Sequence, residues 1–309
     1  MFHNIIQTGI LIQIRSAKIM QVFKNNVKIL VITGPTATGK TSLAVKLAGQ
    51  FNGEIISADS RQIYRGMDIG SGKDIGEYGN VPYHLIDIAD PASEIYNLGR
   101  FCRDAWAAIE NINSRGKLPV ICGGTALYIA AILDGYRLPG GALPPRSYDT
   151  PRIRQKPDAP ASFTPPFEID PLILGVLYPR KTVRERIAQR LDARFECGMI
   201  DEVKKLHDEQ HVSFETLESF GLEYREISLF LQGKCSEDEM KTALLNKIRQ
   251  FAKRQDIFFR KLEREGHQIH WLAAGKEPDP ENLIRAFLNN EKITEPRFRL
   301  CDHHNPPSY

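Results

Sequence analysis

Short apolar runs alternate with longer amphipathic stretches along the first half of the chain. Val27-Lys28-Ile29-Leu30-Val31-Ile32-Thr33 and Glu54-Ile55-Ile56-Ser57-Ala58 are nearly continuous in hydrophobicity, as in strands covered on both faces. Reading on in this way predicts strands near 27–33, 53–58, 83–88, 118–122 and 172–178, and helices near 40–51, 97–113 and 125–134. The helix at 97–113 is typical: Asn97 can cap it, and Leu98, Phe101, Cys102, Ala105, Ile109 and Ile112 fall on one stripe. Strand and helix in alternation predict an α/β fold, a mainly parallel sheet flanked by helices, with a helical part toward the C-terminus.

The first strand runs into Gly34-Pro35-Thr36-Ala37-Thr38-Gly39-Lys40-Thr41, and a helical pattern with Leu43, Ala44, Leu47, Ala48 and Phe51 on one face follows. This order of strand, glycine-rich loop and helix fits GxxxxGK[ST], the P-loop, so the fold is read as P-loop NTPase-like. Glycines let the backbone wrap oxyanions, successive N–H groups point at them, and the helix N-terminus adds its positive end. Lys40 supplies a point charge for a terminal phosphate and Thr41 a hydroxyl for Mg²⁺. Such a loop binds a di- or triphosphate without specifying its fate.

The second strand delivers Asp59-Ser60-Arg61-Gln62-Ile63-Tyr64 to its carboxyl end, the edge where open α/β sheets place ligands. A carboxylate there can ligate Mg²⁺ or act as a general base. Gly123-Gly124 closes the fourth strand, allows close backbone approach, and sets Thr125 at a helix start on the same edge.

Four blocks in order, Gly34 to Thr41, Ile56 to Gly70, Val81-Pro82-Tyr83-His84-Leu85-Ile86-Asp87, and Gly123-Gly124-Thr125-Ala126-Leu127-Tyr128, resemble the tRNA dimethylallyltransferases. The resemblance implies transfer of a dimethylallyl group from its diphosphate to N6 of the adenosine next to the anticodon, with Mg²⁺ on the diphosphate. It implies that the P-loop holds an isoprenoid diphosphate, that Asp59 takes the amine proton, and that Lys40, Thr41, Thr125 and Arg186 contact the donor or acceptor. It further implies tRNA contacts from Asp59, Ser60, Arg61, Gln62, Tyr224, Arg225, Arg249, Gln250, Lys253 and Arg254. The anticodon stem-loop is the implied partner of a cytoplasmic monomer. The chemistry agrees: a departing diphosphate needs fixed cations and backbone donors, and a delocalised exocyclic amine needs a base.

Residues 241–264 carry eight Lys/Arg against Asp256 and Glu263. Leu244, Ile248, Phe251, Ala252, Phe259 and Leu262 recur at helical spacing, which leaves the basic residues an arc able to neutralise RNA phosphates. Within it, Ile248 to Gln255 resembles the family's RQxAKRQ block. Gly221-Leu222-Glu223-Tyr224-Arg225-Glu226 resembles the family's Gly-Tyr-Arg turn, with Glu223 standing where Gly is usual. Between Gly135 and Leu172 the family's helical insertion is replaced by a Pro-rich run bearing Arg146, Arg152, Arg154 and Lys156.

The chain thus divides into an extension at 1–19, a P-loop core at 20–138, a Pro-rich basic loop at 139–171, the rest of the core with the basic helical part at 172–290, and a tail at 291–309. At 309 residues, 42% hydrophobic and 26% charged, it reads as a soluble globular protein with no membrane span. Five cysteines without CxxC read as reduced packing residues of a cytosolic protein. Cys301-Asp302-His303-His304 is too compact to wrap one metal ion. Three other functions stay open: an adenylate dimethylallyltransferase, which the shortened middle favours, a P-loop small-molecule kinase, and a non-catalytic tRNA-binding relative.

Overall fold

The structure, a computed structural model, describes residues 26–137 and 162–302. The extension at 1–19, the four basic residues of the Pro-rich run, and His303 and His304 lie outside the described residues. The strands are β1 (Val27–Thr33), β2 (Gly53–Ser57), β3 (Tyr83–His84), β4 (Leu118–Cys122), β5 (Tyr136–Arg137), β6 (Ser162–Phe163), β7 (Ile169–Leu177) and β8 (Ile269–Ala273). The helices are α1 (Lys40–Gln50), α2 (Leu98–Ser114), α3 (Ala126–Asp134), α4 (Arg180–Glu196), α5 (Met199–Asp208), α6 (Phe214–Ser219), α7 (Leu222–Leu231), α8 (Glu237–Arg264) and α9 (Pro280–Leu288).

Six strands form one sheet in the order β3-β2-β4-β1-β7-β8, every pair parallel, while β5 and β6 make a small antiparallel pair. Strand side chains alternate between faces, and both faces are dry. Ile29, Val31, Ile56, Ile121 and Ile173 enter one core with α2, α3, α4 and α8; Leu30, Ile32, Ile55, Val120 and Leu174 enter the other with α1 and α9. Double burial is why the strands read as unbroken apolar runs. Asn97 caps α2 as expected, its side chain accepting from Arg100 N at 2.9 Å.

Three sequence expectations change. A sixth strand, β8, pairs with β7; its run Ile269-His270-Trp271-Leu272-Ala273 is a short strand signal that the count of five passed over. Its ring Trp271 lies on Gly175, where a Cβ would sit 2.4 Å from the indole. The strand expected at 83–88 stops at His84, because Leu85 and Asp87 take positive φ (63° and 56°) and turn the chain. Cys102 and Cys122 are buried packing residues, whereas Cys197, at the C-cap of α4, is exposed.

The loop after β2 is fastened to the helical layer. Glu202 of α5 accepts from the backbone N–H groups of Asp68, Ile69 and Gly70 (2.8, 2.6 and 3.0 Å) and from the Tyr224 hydroxyl (2.9 Å). Lys73, 4% exposed, donates to Tyr64 O and Asp68 and pairs with Asp87. Glu202→Ala leaves three backbone donors and a buried phenol without their acceptor, and is expected to cost about 2–3 kcal/mol in urea unfolding. A loss under about 0.5 kcal/mol, the range of an ordinary surface change, would show that the carboxylate does not hold this loop.

Candidate active site

The carboxyl ends of β1, β2 and β4 converge through a glycine. A Cβ on Gly123 would stand 2.4 Å from Ala58 O, so only glycine lets β4 and β2 close there. Ala58 N donates to Cys122 O at 2.8 Å, and Thr33 Oγ1 to Gly123 O at 3.1 Å. The P-loop, Asp59 and Thr125 are thereby set on one edge.

The loop Gly34–Thr41 has the backbone that an anion cradle needs. Gly34 (φ 141°) lies against β7, where a Cβ would meet Val176 O at 2.5 Å, and Gly39 (φ 76°) opens α1. Thr38 Oγ1 and Lys40 Nζ both donate to Pro35 O, at 2.8 and 2.7 Å, and draw the loop into a ring. Burial pushes the Lys40 ammonium down to about 8; Arg190 adds to the shift and Asp59 opposes it. The Thr41 hydroxyl meets the Cys122 thiol, which burial pushes up to about 12 and keeps protonated.

The second cation at this loop is Arg190, which sequence reasoning passed over. Its guanidinium donates to Thr36 Oγ1, and burial, with Arg194 beside it, pushes it down to about 10. Arg186, one turn earlier on α4, stacks 3.9 Å from the Tyr178 ring centroid. The helical repeat carries the signal for this pair, since i and i+4 share a face.

Asp59 accepts from Arg61 N at 3.0 Å and faces the Arg61 Nε at 3.5 Å. Arg61 NH1 reaches Glu223 at 2.7 Å. Burial disfavours the Arg61 charge, but Glu223 and Asp59 outweigh it and hold its pKa raised. Beside them lies a cavity of about 220 Å³ with Thr36, Ser60 and Thr125 on its polar wall and Phe220, Ile248 and Phe251 on its apolar wall. Four of the expected site residues, Thr36, Ser60, Arg61 and Thr125, thus share one space with side chains of α8.

Gln255, in the middle of α8, ties this space together. It accepts from Thr36 N at 2.9 Å and donates to Gly124 O at 2.8 Å, so one amide spans the P-loop and the β4 turn. A Cβ on Gly124 would fall 2.7 Å from it. Other expected RNA contacts are turned inward. Gln62 accepts from Ser57 Oγ (2.8 Å) and donates to Gly72 O (3.1 Å), bracing its own loop. Tyr224 is 0% exposed beneath Gly70 with its hydroxyl on Glu202, and cannot present itself to a partner in this arrangement. Arg225 and Arg249 have buried Nε atoms. Lys253 and Gln250 are exposed, and Arg254 Nε donates to Gln250 O. The basic arc of α8 is also narrower than its sequence suggests. Lys247 is paired to buried Glu226 at 2.6 Å, and Glu263 is buried, accepting from Trp271, Leu300 N and Cys301 N.

No cluster of three metal-ligating side chains occurs among the described residues. Near the P-loop, the Thr41 hydroxyl lies beside the protonated Cys122 thiol, with the carboxylates of Asp59 and Glu77 close by as oxygen donors. That suits Mg²⁺, which takes few protein ligands and completes its shell with water and phosphate oxygens. No helix among the described residues is long and apolar enough to cross a membrane.

Two family models match the chain. The one for isopentenyl transferase covers residues 27–78, and the one for IPP transferase covers 62–162 and 150–262, its two pieces meeting in the Pro-rich run. A tRNA dimethylallyltransferase of Geotalea daltonii is 42% identical over 308 aligned residues, covering 87% of this chain and 98% of the relative. The solved tRNA isopentenylpyrophosphate transferase of Bacillus halodurans is 29% identical with a TM-score of 0.65, over 86% of this chain and 95% of that one. Its counterpart from Staphylococcus epidermidis is 27% identical with a TM-score of 0.68, over 85% and 99%. With an all-parallel sheet, a P-loop and the Asp59 edge in place, the chain belongs to the IPP transferase family, the family of the tRNA dimethylallyltransferases.

Proposed function

We propose that the protein transfers a dimethylallyl group from dimethylallyl diphosphate to N6 of the adenosine next to the anticodon of tRNA. One observation carries this reading: Thr36 of the P-loop, Thr125, and the Ser60-Arg61 stretch that follows Asp59 line one cavity, polar toward the loop and apolar toward α8. A diphosphate sits in the loop, and the isoprenoid chain and adenine ring meet in the cavity. Lys40 and Arg190 are the cations of the donor end. The hydrogen bonds of both go to neutral oxygens, Pro35 O and Thr36 Oγ1, rather than to carboxylates, which leaves their charge for an anion.

In the reaction the C1–O bond of the donor breaks, and its electron pair leaves with the diphosphate. The N6–C1 bond forms as the amine loses a proton to Asp59. Lys40, Arg190 and the P-loop N–H groups strengthen their hold as negative charge collects on the leaving oxygens. Mg²⁺, held by Thr41 and the diphosphate itself, would supply further charge neutralisation there. Gln255 keeps the P-loop and the Gly124 turn at fixed separation, so donor and acceptor are aligned before the chemistry starts. Exposed Lys253 and the other open basic groups of α8 are where tRNA phosphates would lie.

Digesting bulk unmodified tRNA after incubation with protein, dimethylallyl diphosphate and Mg²⁺, and weighing the nucleosides, tests the assignment directly. A gain of one dimethylallyl group on adenosine is expected. Preference for free AMP would move the assignment to a nucleotide prenyltransferase, strict need for ATP to a kinase, and tRNA binding without product to a non-catalytic relative. Asp59→Ala is expected to lower kcat by about 10² to 10⁴ with donor binding nearly intact, as for loss of a general base; near wild-type kcat removes Asp59 from the mechanism. On the donor side, Lys40 carries its proton below about pH 8 and loses it above. The kcat/KM for dimethylallyl diphosphate should therefore fall about tenfold per pH unit beyond that point. Arg190→Ala should raise the donor KM more than Arg186→Ala does; a flat profile to pH 9.5, or the reverse order of the two arginines, contradicts this donor site. Lys253→Ala combined with Arg254→Ala should reduce the log–log salt slope of tRNA binding by about 0.7 to 0.9 for each phosphate no longer neutralised, and leave donor binding unchanged.

A further inference from the structure

Glu223 occupies the position where the Gly-Tyr-Arg turn usually has glycine, and its side chain is buried, 3% exposed, in a nest of arginines. Arg61 NH1 is 2.7 Å from Glu223 Oε2, and Arg194 NH1 is 3.8 Å from Oε1. Three glycines make room for this group. A Cβ on Gly221 would press on Arg61 Cδ at 3.1 Å, one on Gly72 would overlap Arg194 NH2 at 1.8 Å, and one on Gly70 would strike Tyr224 at 2.8 Å. Gly221 (φ 135°) and Gly72 (φ 68°) also hold backbone angles that disfavour a side chain.

Arg61 stands between two carboxylates. Its short contact is to Glu223; its contact to Asp59 is long, 3.5 Å from Nε, and the hydrogen bond to Asp59 comes from its backbone N–H at 3.0 Å. A carboxylate locked to a guanidinium has its charge and lone pairs occupied and is a poorer proton acceptor. With Glu223 absent, the nearest carboxylate left for Arg61 is Asp59.

We propose that Glu223 is a positioning residue: it holds the Arg61 guanidinium off Asp59, so that the Asp59 carboxylate stays open to the acceptor amine. The assignment rests on Asp59 as the base. It gives Glu223 a part in the reaction without contact to substrate, and accounts for a buried charge where the turn needs none. Arg194 is the second cation beside Glu223 and helps hold its side chain in place.

Kinetics at saturating tRNA separate this from a purely structural role. Glu223→Gln is expected to lower kcat by about tenfold to a hundredfold while the donor KM changes less than about twofold, the pattern of a loss confined to the transition state. Placing Arg61→Gln on that background removes the guanidinium that captures Asp59, and should raise kcat again by at least about threefold; a structural defect would instead worsen with the second substitution. Wild-type kcat in Glu223→Gln, or a double variant no faster than the single one, overturns the proposal. Should Glu223→Gln fail to fold, Glu223→Asp keeps the charge and is expected to retain kcat within about threefold; a larger loss in a folded Asp variant is equally contrary. Asp59→Ala with full kcat defeats the base assignment itself, whereas an inactive Asp59→Ala beside a fully active Glu223→Gln defeats only the role of Glu223.

Discussion

Everything at the candidate site depends on how closely the carboxyl ends of β1, β2 and β4 approach. Gly123 makes that approach possible, since any side chain there would run into the backbone of Ala58. Once the three strand ends are in register, the P-loop, Asp59 and Thr125 have no choice but to face one another. The parallel sheet enforces the same arrangement from below, because strands buried on both faces cannot slide without moving an entire apolar row out of its core.

A second constraint comes from the helical layer. Gln255 reaches from α8 to both the P-loop and the Gly124 turn, and Arg190 reaches from α4 to Thr36. The P-loop is thus braced by helices that arrive more than a hundred residues later in the chain. The same layer, through Glu202 and Glu223, also fastens the loop that carries Asp59. Buried polar groups of this kind are costly unless every partner is in place, so they hold the loop in a single arrangement.

Charge is distributed unevenly across the site. Toward the P-loop, Lys40 and Arg190 bond to neutral oxygens; a few residues away, Arg61 and Arg194 are matched by Glu223. The uncompensated positive charge therefore lies at the loop, while the charges on the cavity wall are paired with one another. On α8 the pairing of Lys247 with Glu226 and the burial of Glu263 leave fewer open charges than the composition of the helix suggests.

The chain's own pattern determined the α/β class, the P-loop, the cap on α2 and the placement of Asp59 and Thr125 at strand ends. Each of these rests on neighbours within a few residues, or on a periodicity that one segment displays alone. Tertiary structure decided the rest. It added β8 at the sheet edge, ended β3 at His84, and set Arg190 rather than Arg186 against Thr36. It also turned Gln62 and Tyr224 inward and gave Gln255 and Glu223 their partners. These contacts join residues far apart in sequence, and which of several nearby polar side chains meets its partner is set by helix rotation and by glycines that clear a path. Local composition carries no record of either.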